Sequence, residues 1–248
     1  MTDELAVKES PDLLLLPENF PFWGSRLGKE INADIALDFL RSLAADFSLN
    51  LVGGSFHRRD ESSGKYLNTS FVLNRKGDIT GFYHKRKLFH RELNSEVLSG
   101  DKPAVFNIEG WRVAVQICAD FWFPELSREI LGSFDIIAVP AQSVVRSPEF
   151  QTYGRVLWHN LALTRAQENA AVTIVADHPA FEQAPFCSGG SSICDPSLSM
   201  MTADLAEIHR KTEGKPGAVC LTIDLERLKK FRLYRAERGI LPEMGQGI

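Results

Sequence analysis

Cys118 carries the most chemistry in this chain because of where the sequence places it. The run Val113-Ala114-Val115-Gln116-Ile117 is apolar and rich in β-branched side chains, which predicts a buried strand. It ends on Cys118, Ala119 and Asp120, just ahead of Phe121-Trp122-Phe123-Pro124-Glu125, a proline-led helix start. A strand that stops abruptly and turns into a helix exposes the side chain at the turn. It also aims the next backbone N–H groups at any developing anion. Such a thiol is a nucleophile only if a base and an anion-stabilising group stand beside it; otherwise it is a small buried hydrophobe.

Two other stretches could supply those groups. Glu18 closes Leu13-Leu14-Leu15-Leu16-Pro17-Glu18, at the C-terminal mouth of a predicted strand, the edge where open α/β proteins bind ligands. Taken alone, a glutamate after a proline is a solvated loop carboxylate. Lys85 belongs to the basic cluster His84-Lys85-Arg86-Lys87, which alone reads as a solvated face. Its neighbours Phe82, Tyr83, Leu88 and Phe89 argue for partial burial, and a lysine held among apolar residues needs anionic company.

The elements that must position these groups alternate between strand and helix. Residues 2–10 predict a short helix, and Leu13–Leu16 a parallel strand buried on both faces, because it shows no polar alternation. Apolar residues at helical spacing from 31 to 46 predict an amphipathic helix. Strands are expected at 50–56, 66–74 and 79–83, then at 104–108 and 111–118 around the turn Glu109-Gly110. A helix starts at 124, a buried strand spans 134–140, a long helix 150–169 and a strand 171–176. The glycine-rich turn 188–190 leads into a further strand, and a tail strand over 218–223 precedes a basic helix over 225–238. Gly53-Gly54 lacks the pattern of a phosphate loop and reads as a bulge or a close backbone approach. With no linker, internal repeat or low-complexity segment, residues 1–248 are read as a single domain.

Composition excludes several classes. A hydrophobic fraction of 44% and a charged fraction of 24% are those of a globular protein. A net charge of −4 and a pI near 5.9 give no basic footprint for nucleic acid. The four cysteines, Cys118, Cys187, Cys194 and Cys220, form neither a disulfide framework nor a zinc pattern, so no metal is expected and a reduced cytoplasmic setting fits. No stretch reads as a leader or a membrane span.

The ordered motifs resemble the carbon–nitrogen hydrolase, or nitrilase, superfamily. They are Leu15-Leu16-Pro17-Glu18, Val52-Gly53-Gly54, Asn68-Thr69, Tyr83-His84-Lys85, Gly100-Asp101, Cys118-Ala119-Asp120 with Phe123-Pro124-Glu125, Arg165-Ala166-Gln167-Glu168-Asn169, and Gly190-Ser191-Ser192 with Asp195-Pro196. The resemblance implies an α/β fold, a four-layer αββα sandwich. It also implies a cofactor-free Glu-Lys-Cys triad: Glu18 as general base, Lys85 as oxyanion-stabilising cation with the Ala119 N–H, and Cys118 as nucleophile. The expected substrate is a small amide, nitrile or carbamoyl compound, and the expected assembly a homodimer or larger.

The chain departs from the family pattern in several places. The accessory glutamate of many members has two candidates, Glu92 and Glu96, neither at the usual spacing from Gly100; Glu92 is favoured. Lys87 and Trp122 stand where relatives carry histidine and arginine. The family pattern places a further central strand and most of a helix ahead of the first glutamate, whereas seventeen residues precede Glu18, so the sandwich is read as N-terminally shortened. Trp122, Phe123 and Gln142 are candidate substrate-pocket residues, and Arg146 a candidate for a substrate carboxylate. The shortened start and the irregular spacing motivate a competing reading, a catalytically impaired member of the same fold that acts through binding.

Overall fold

The computed structural model describes residues 11–20, 33–182 and 184–241; the helix expected at 2–10 lies outside them. The first sheet contains β1 (Leu13–Leu15), β2 (Asn50–Val52), β3 (Phe56–Arg59), β4 (Tyr66–Leu73), β5 (Ile79–His84) and β6 (Val97–Leu98). β4 organises it: β2 and β3 pair antiparallel with β4, as does β5, and β6 pairs with it in parallel. β1 pairs with β2 alone among the described strands and is half-buried. The expected parallel strand with cover on both faces is there, Leu13 and Leu15 packing on the core between the sheets and Leu14 on the outer core, but that cover is partial.

The second sheet contains β7 (Val105–Ile108), β8 (Trp111–Val115), β9 (Ile136–Pro140), β11 (Val172–Ala176), β13 (Ser192–Cys194) and β14 (His209–Lys211), in the order β14-β13-β11-β9-β8-β7. The short strands β10 (Val144–Val145) and β12 (Phe186–Cys187) form a separate pair. β7 and β8 meet through Glu109 and Gly110, both at positive φ (51° and 90°), the conformation that a tight hairpin turn demands. β8, β9 and β11 run parallel, so β9 and β11 are each reached by a crossover.

The layers follow from side-chain alternation. In the paired strands β2 and β4, Val52 and Val72 face the core between the sheets, while Leu51 and Leu73 face the outer core. Helix α1 (Ala33–Asp46) closes that outer core with Ala36, Leu40, Leu43 and Ala44. On the far side, α3 (Gln151–Asn169) packs on β11 and β13, and α5 (Leu225–Glu237) contributes Leu228 and Phe231. The short helices α2 (Pro124–Arg128) and α4 (Leu205–Ile208) cap the loops. The result is the αββα sandwich. No helix among the described residues is long and apolar enough to cross a membrane.

The expected strand over 218–223 does not form. Val219, Leu221 and Ile223 pack on the main core, but the backbone finds no strand partner among the described residues, so apolar alternation alone leaves it extended and unpaired. What anchors α5 is charge. Arg232, buried, donates to Asp135, to the Phe134 carbonyl at 2.8 Å and to the Ala170 carbonyl at 2.9 Å, while Asp135 also receives Arg112. Arg232→Met is predicted to orphan those acceptors and cost about 3 kcal/mol, read as a lower urea midpoint at unchanged slope.

Candidate active site

Glu18 sits on the seam between the sheets. Its N–H donates to Ala141 O at 3.2 Å just past β9, and its backbone bridges to Ser55 just past β2. The Nε2–H of His178 donates to the Glu18 carbonyl at 2.6 Å, which fixes that imidazole's tautomer. Gly54 makes the close passage possible: at φ 62° a Cβ there would lie 2.2 Å from the Pro17 carbonyl. The glycine pair is thus a close backbone approach, as its sequence suggests.

Lys85 emerges at the end of β5, 2% exposed, with its N–H bonded to Asn68 O and its carbonyl to the Gly100 N–H. Its Nζ donates to Glu18 Oε1 at 2.7 Å and to Glu92 Oε2 at 2.8 Å. Burial alone would strip the ammonium of its proton, but the charges of Glu18 and Glu92 reverse that and hold it firmly protonated. Glu92 lies in a 3-10 turn, His90–Asn94, and takes further donors on each oxygen: Asn68 Nδ2 at 2.9 Å and His57 Nε2 at 3.1 Å on Oε1, and the Phe89 N–H at 3.0 Å on Oε2. Burial pushes its carboxyl up, yet the His57 hydrogen bond and the Lys85 charge win and hold it at about 2. The structure therefore brings Glu92, not the exposed Glu96, to the lysine.

Cys118 begins a 3-10 turn, Cys118–Trp122, at φ 45°, a left-handed conformation for a residue with a Cβ. Its Sγ lies 3.7 Å from the Gln142 carbonyl, with the Glu18 carboxylate near enough for its charge to act on the thiol. Burial and the Glu18 charge drive the thiol well above its ordinary range, with Lys85 pulling the other way, so at rest it keeps its proton. Ala119, next in the turn, carries one of the N–H groups that a helical start leaves without an internal partner.

Asp120 holds this elbow. One oxygen accepts the Arg86 and Lys87 N–H groups at 3.1 and 2.7 Å, the other the Tyr83 hydroxyl and the Ile117 N–H, each at 2.9 Å. The end of β5 is thereby tied to the turn that bears the thiol. Arg165, paired with Glu168 at 2.8 Å, also donates to the carbonyls of Phe121 and Trp122.

Of the candidate pocket residues, Gln142 lies at the thiol, its Oε1 accepting from Asn19 Nδ2 at 3.0 Å. Trp122 and Phe123 are half-exposed: Trp122 stands edge-on to Trp158, and Phe123 lies beneath Lys87 Nζ. Arg146 stacks on Phe150 at the surface. Sequence motifs included Asn68 and Asp120 without a role, and nothing local pointed to His57 or His178, whose partners lie 35 and 160 residues away.

The Glu92 contacts have a pH signature. Its carboxyl falls from 4.5 to about 2 on folding, so its stabilisation is complete above 4.5 and disappears as the pH drops from 4.5 towards 2. Glu92→Gln is predicted to lower stability by on the order of 3 kcal/mol at neutral pH, a gap that narrows across that acid window in urea titrations.

Comparison with known proteins gives the family and the fold. The carbon–nitrogen hydrolase family model matches residues 3–233. The omega-amidase NIT3 of Saccharomyces cerevisiae is 30% identical over 224 residues, covering 82% of this chain and 75% of the relative. A deaminated glutathione amidase of Synechocystis is 29% identical, covering 92% and 85%. Among solved structures, S. cerevisiae Nit3 superposes with a TM-score of 0.75 at 22% identity, covering 98% of this chain and 86% of that one. The NitN amidase from Nesterenkonia superposes at 0.72 with 22% identity, covering 97% and 91%. The chain belongs to the carbon–nitrogen hydrolase family of the nitrilase superfamily.

Proposed function

We propose that this chain, acting as a single domain, hydrolyses the C–N bond of small carboxamides through a thioester on Cys118. Glu18 is the base, Lys85 and the Ala119 N–H hold the oxyanion, and Glu92 is an accessory that keeps Lys85 charged and in place. The observation that carries this reading is the convergence of a protonated thiol, a carboxylate and a paired ammonium at one buried point. The names of the relatives support the amide: two are an omega-amidase and a deaminated glutathione amidase. A Nesterenkonia amidase of the same fold has been captured with acrylamide added at its active-site cysteine.

The chemistry follows from the resting protonation states. Glu18 takes the thiol proton as Sγ bonds to the carbonyl carbon, and the carbonyl π electrons move to oxygen. Donors aimed at that oxygen contribute roughly 3–4 kcal/mol each to the transition state. Collapse breaks the C–N bond, and protonated Glu18 passes its proton to the departing nitrogen, leaving the thioester. Water then attacks, Glu18 accepts its proton, and the thiolate leaves and is reprotonated. Gln142, Trp122 and Phe123 border the acyl side. Self-association through helical faces belongs to the same reading, with exposed Tyr153 and Val156 on α3 and Leu233 on α5 as the surface to cover.

Ammonia release across aliphatic amides, ω-amido acids, nitriles and carbamoyl compounds identifies the substrate. Cys118→Ala is predicted to lower the rate on the best of them at least about 10³-fold with the fold intact. Full activity in that variant would overturn the reading. A wild-type chain silent on the whole panel would favour the impaired, binding form of the fold.

A further inference from the structure

Asn68 touches both carboxylates that hold Lys85, and the mechanism above has not used it. It lies in β4, 1% exposed, opposite His57 of β3. Its Nδ2 is 2.9 Å from Glu18 Oε1 and 2.9 Å from Glu92 Oε1, and its carbonyl accepts the Lys85 N–H at 2.9 Å. The amide has two hydrogens, and each carboxylate receives one. Its orientation is dictated by these neighbours, because the flipped amide would set Oδ1 against two carboxylate oxygens. Oδ1 is instead buried with no partner, so the hydrogen bonds made by this side chain all run from Nδ2 to the carboxylates.

The type of residue matters as much as its place. Glu18, Glu92 and Lys85 together carry one net negative charge. A second cation at position 68 would cancel it. A third carboxylate would force a proton into the cluster. A neutral double donor does neither. It also decides which oxygen reacts: Oε1 of Glu18 is occupied by Lys85 and Asn68, leaving Oε2 for the thiol.

We propose that Asn68 is a positioning residue that reserves Glu18 Oε2 for the Cys118 proton and locks the Glu18 and Glu92 carboxylates to one another through a single amide. The proposal rests on the reading of Glu18 as base and Cys118 as nucleophile. The test is the rate at which iodoacetamide alkylates Cys118 in the full chain, followed by mass spectrometry against pH. The titratable and charged groups around Glu18 are Lys85, Glu92, Cys118 and Cys187, with His57 behind Glu92, His178 on the Glu18 carbonyl, Asp177 beside Cys187 and Asp120 beside the elbow; all remain in the variants.

Asn68→Ala is expected to slow alkylation about tenfold on the plateau and to move the acid limb upward by about one pH unit, since the ionised carboxylates lose a donor. Asn68→Asp, nearly isosteric, is expected to move the limb further in the same direction. A folded Asn68→Ala chain with the wild-type rate and limb overturns the proposal. Failure of both variants to fold also overturns it, since Asn68 is then a core residue. Glu18→Gln separates the two readings. If wild-type Cys118 reacts no faster than Cys187, Cys194 and Cys220, the site reading fails and the proposal with it. If wild-type Cys118 is fast, Glu18→Gln slow and Asn68→Ala normal, the role of Asn68 alone is refuted.

Discussion

A buried ammonium is the constraint on which the site depends. Lys85 is 2% exposed, and a lone ammonium there would lose its proton or unfold its surroundings. Two carboxylates keep it charged, and in turn each needs donors that water no longer supplies. Asn68, His57 and the Phe89 N–H meet that need for Glu92, and Asn68 and Lys85 for Glu18. Each added group answers a deficit created by the last, so the chain of contacts from Lys85 out to half-buried His57 follows from the first burial. Burial, with the Glu18 charge beside it, keeps the adjacent thiol protonated at rest.

The fold delivers these groups by ending strands at one place. Glu18 follows β1, Lys85 follows β5, Cys118 follows β8 and Gln142 follows β9, so both sheets contribute and the seam between them becomes the site. Strand ends suit this purpose because the preceding residues are fixed in a ladder while the next are free to turn.

Much of this was legible in the sequence, and the divide between what was and what was not has a physical cause. Cys118, Glu18 and Lys85 stand out because each ends an apolar strand pattern on a reactive side chain, and such patterns are local. The hairpin at Glu109-Gly110 and the long helix α3 are visible for the same reason. Asn68 and His57 act through partners that only sheet pairing brings near, so their types carry no local signal. That Glu92 rather than Glu96 reaches Lys85 depends on the 3-10 turn that carries it, which spacing along the chain does not show. The failure at 218–223 is the converse: alternation describes which side chains are buried, whereas a strand also requires a neighbour's N–H and C=O groups.

The left-handed Cys118 shows why the elbow needs bracing beyond the cluster itself. A residue with a Cβ at φ 45° is held against its own preference by roughly 1–2 kcal/mol, so the turn would relax unless its ends were pinned. Asp120 pins the start by receiving the Ile117 N–H, and Arg165 pins the end by donating to the Phe121 and Trp122 carbonyls. Asp120 also accepts the N–H groups of Arg86 and Lys87, so the brace of the thiol and the anchor of the lysine are one carboxylate. The separation of Cys118 from Lys85 is therefore set by backbone hydrogen bonds to a buried acid, not by the mutual attraction of their side chains. That arrangement lets protonation within the cluster change while the distances between its members stay fixed.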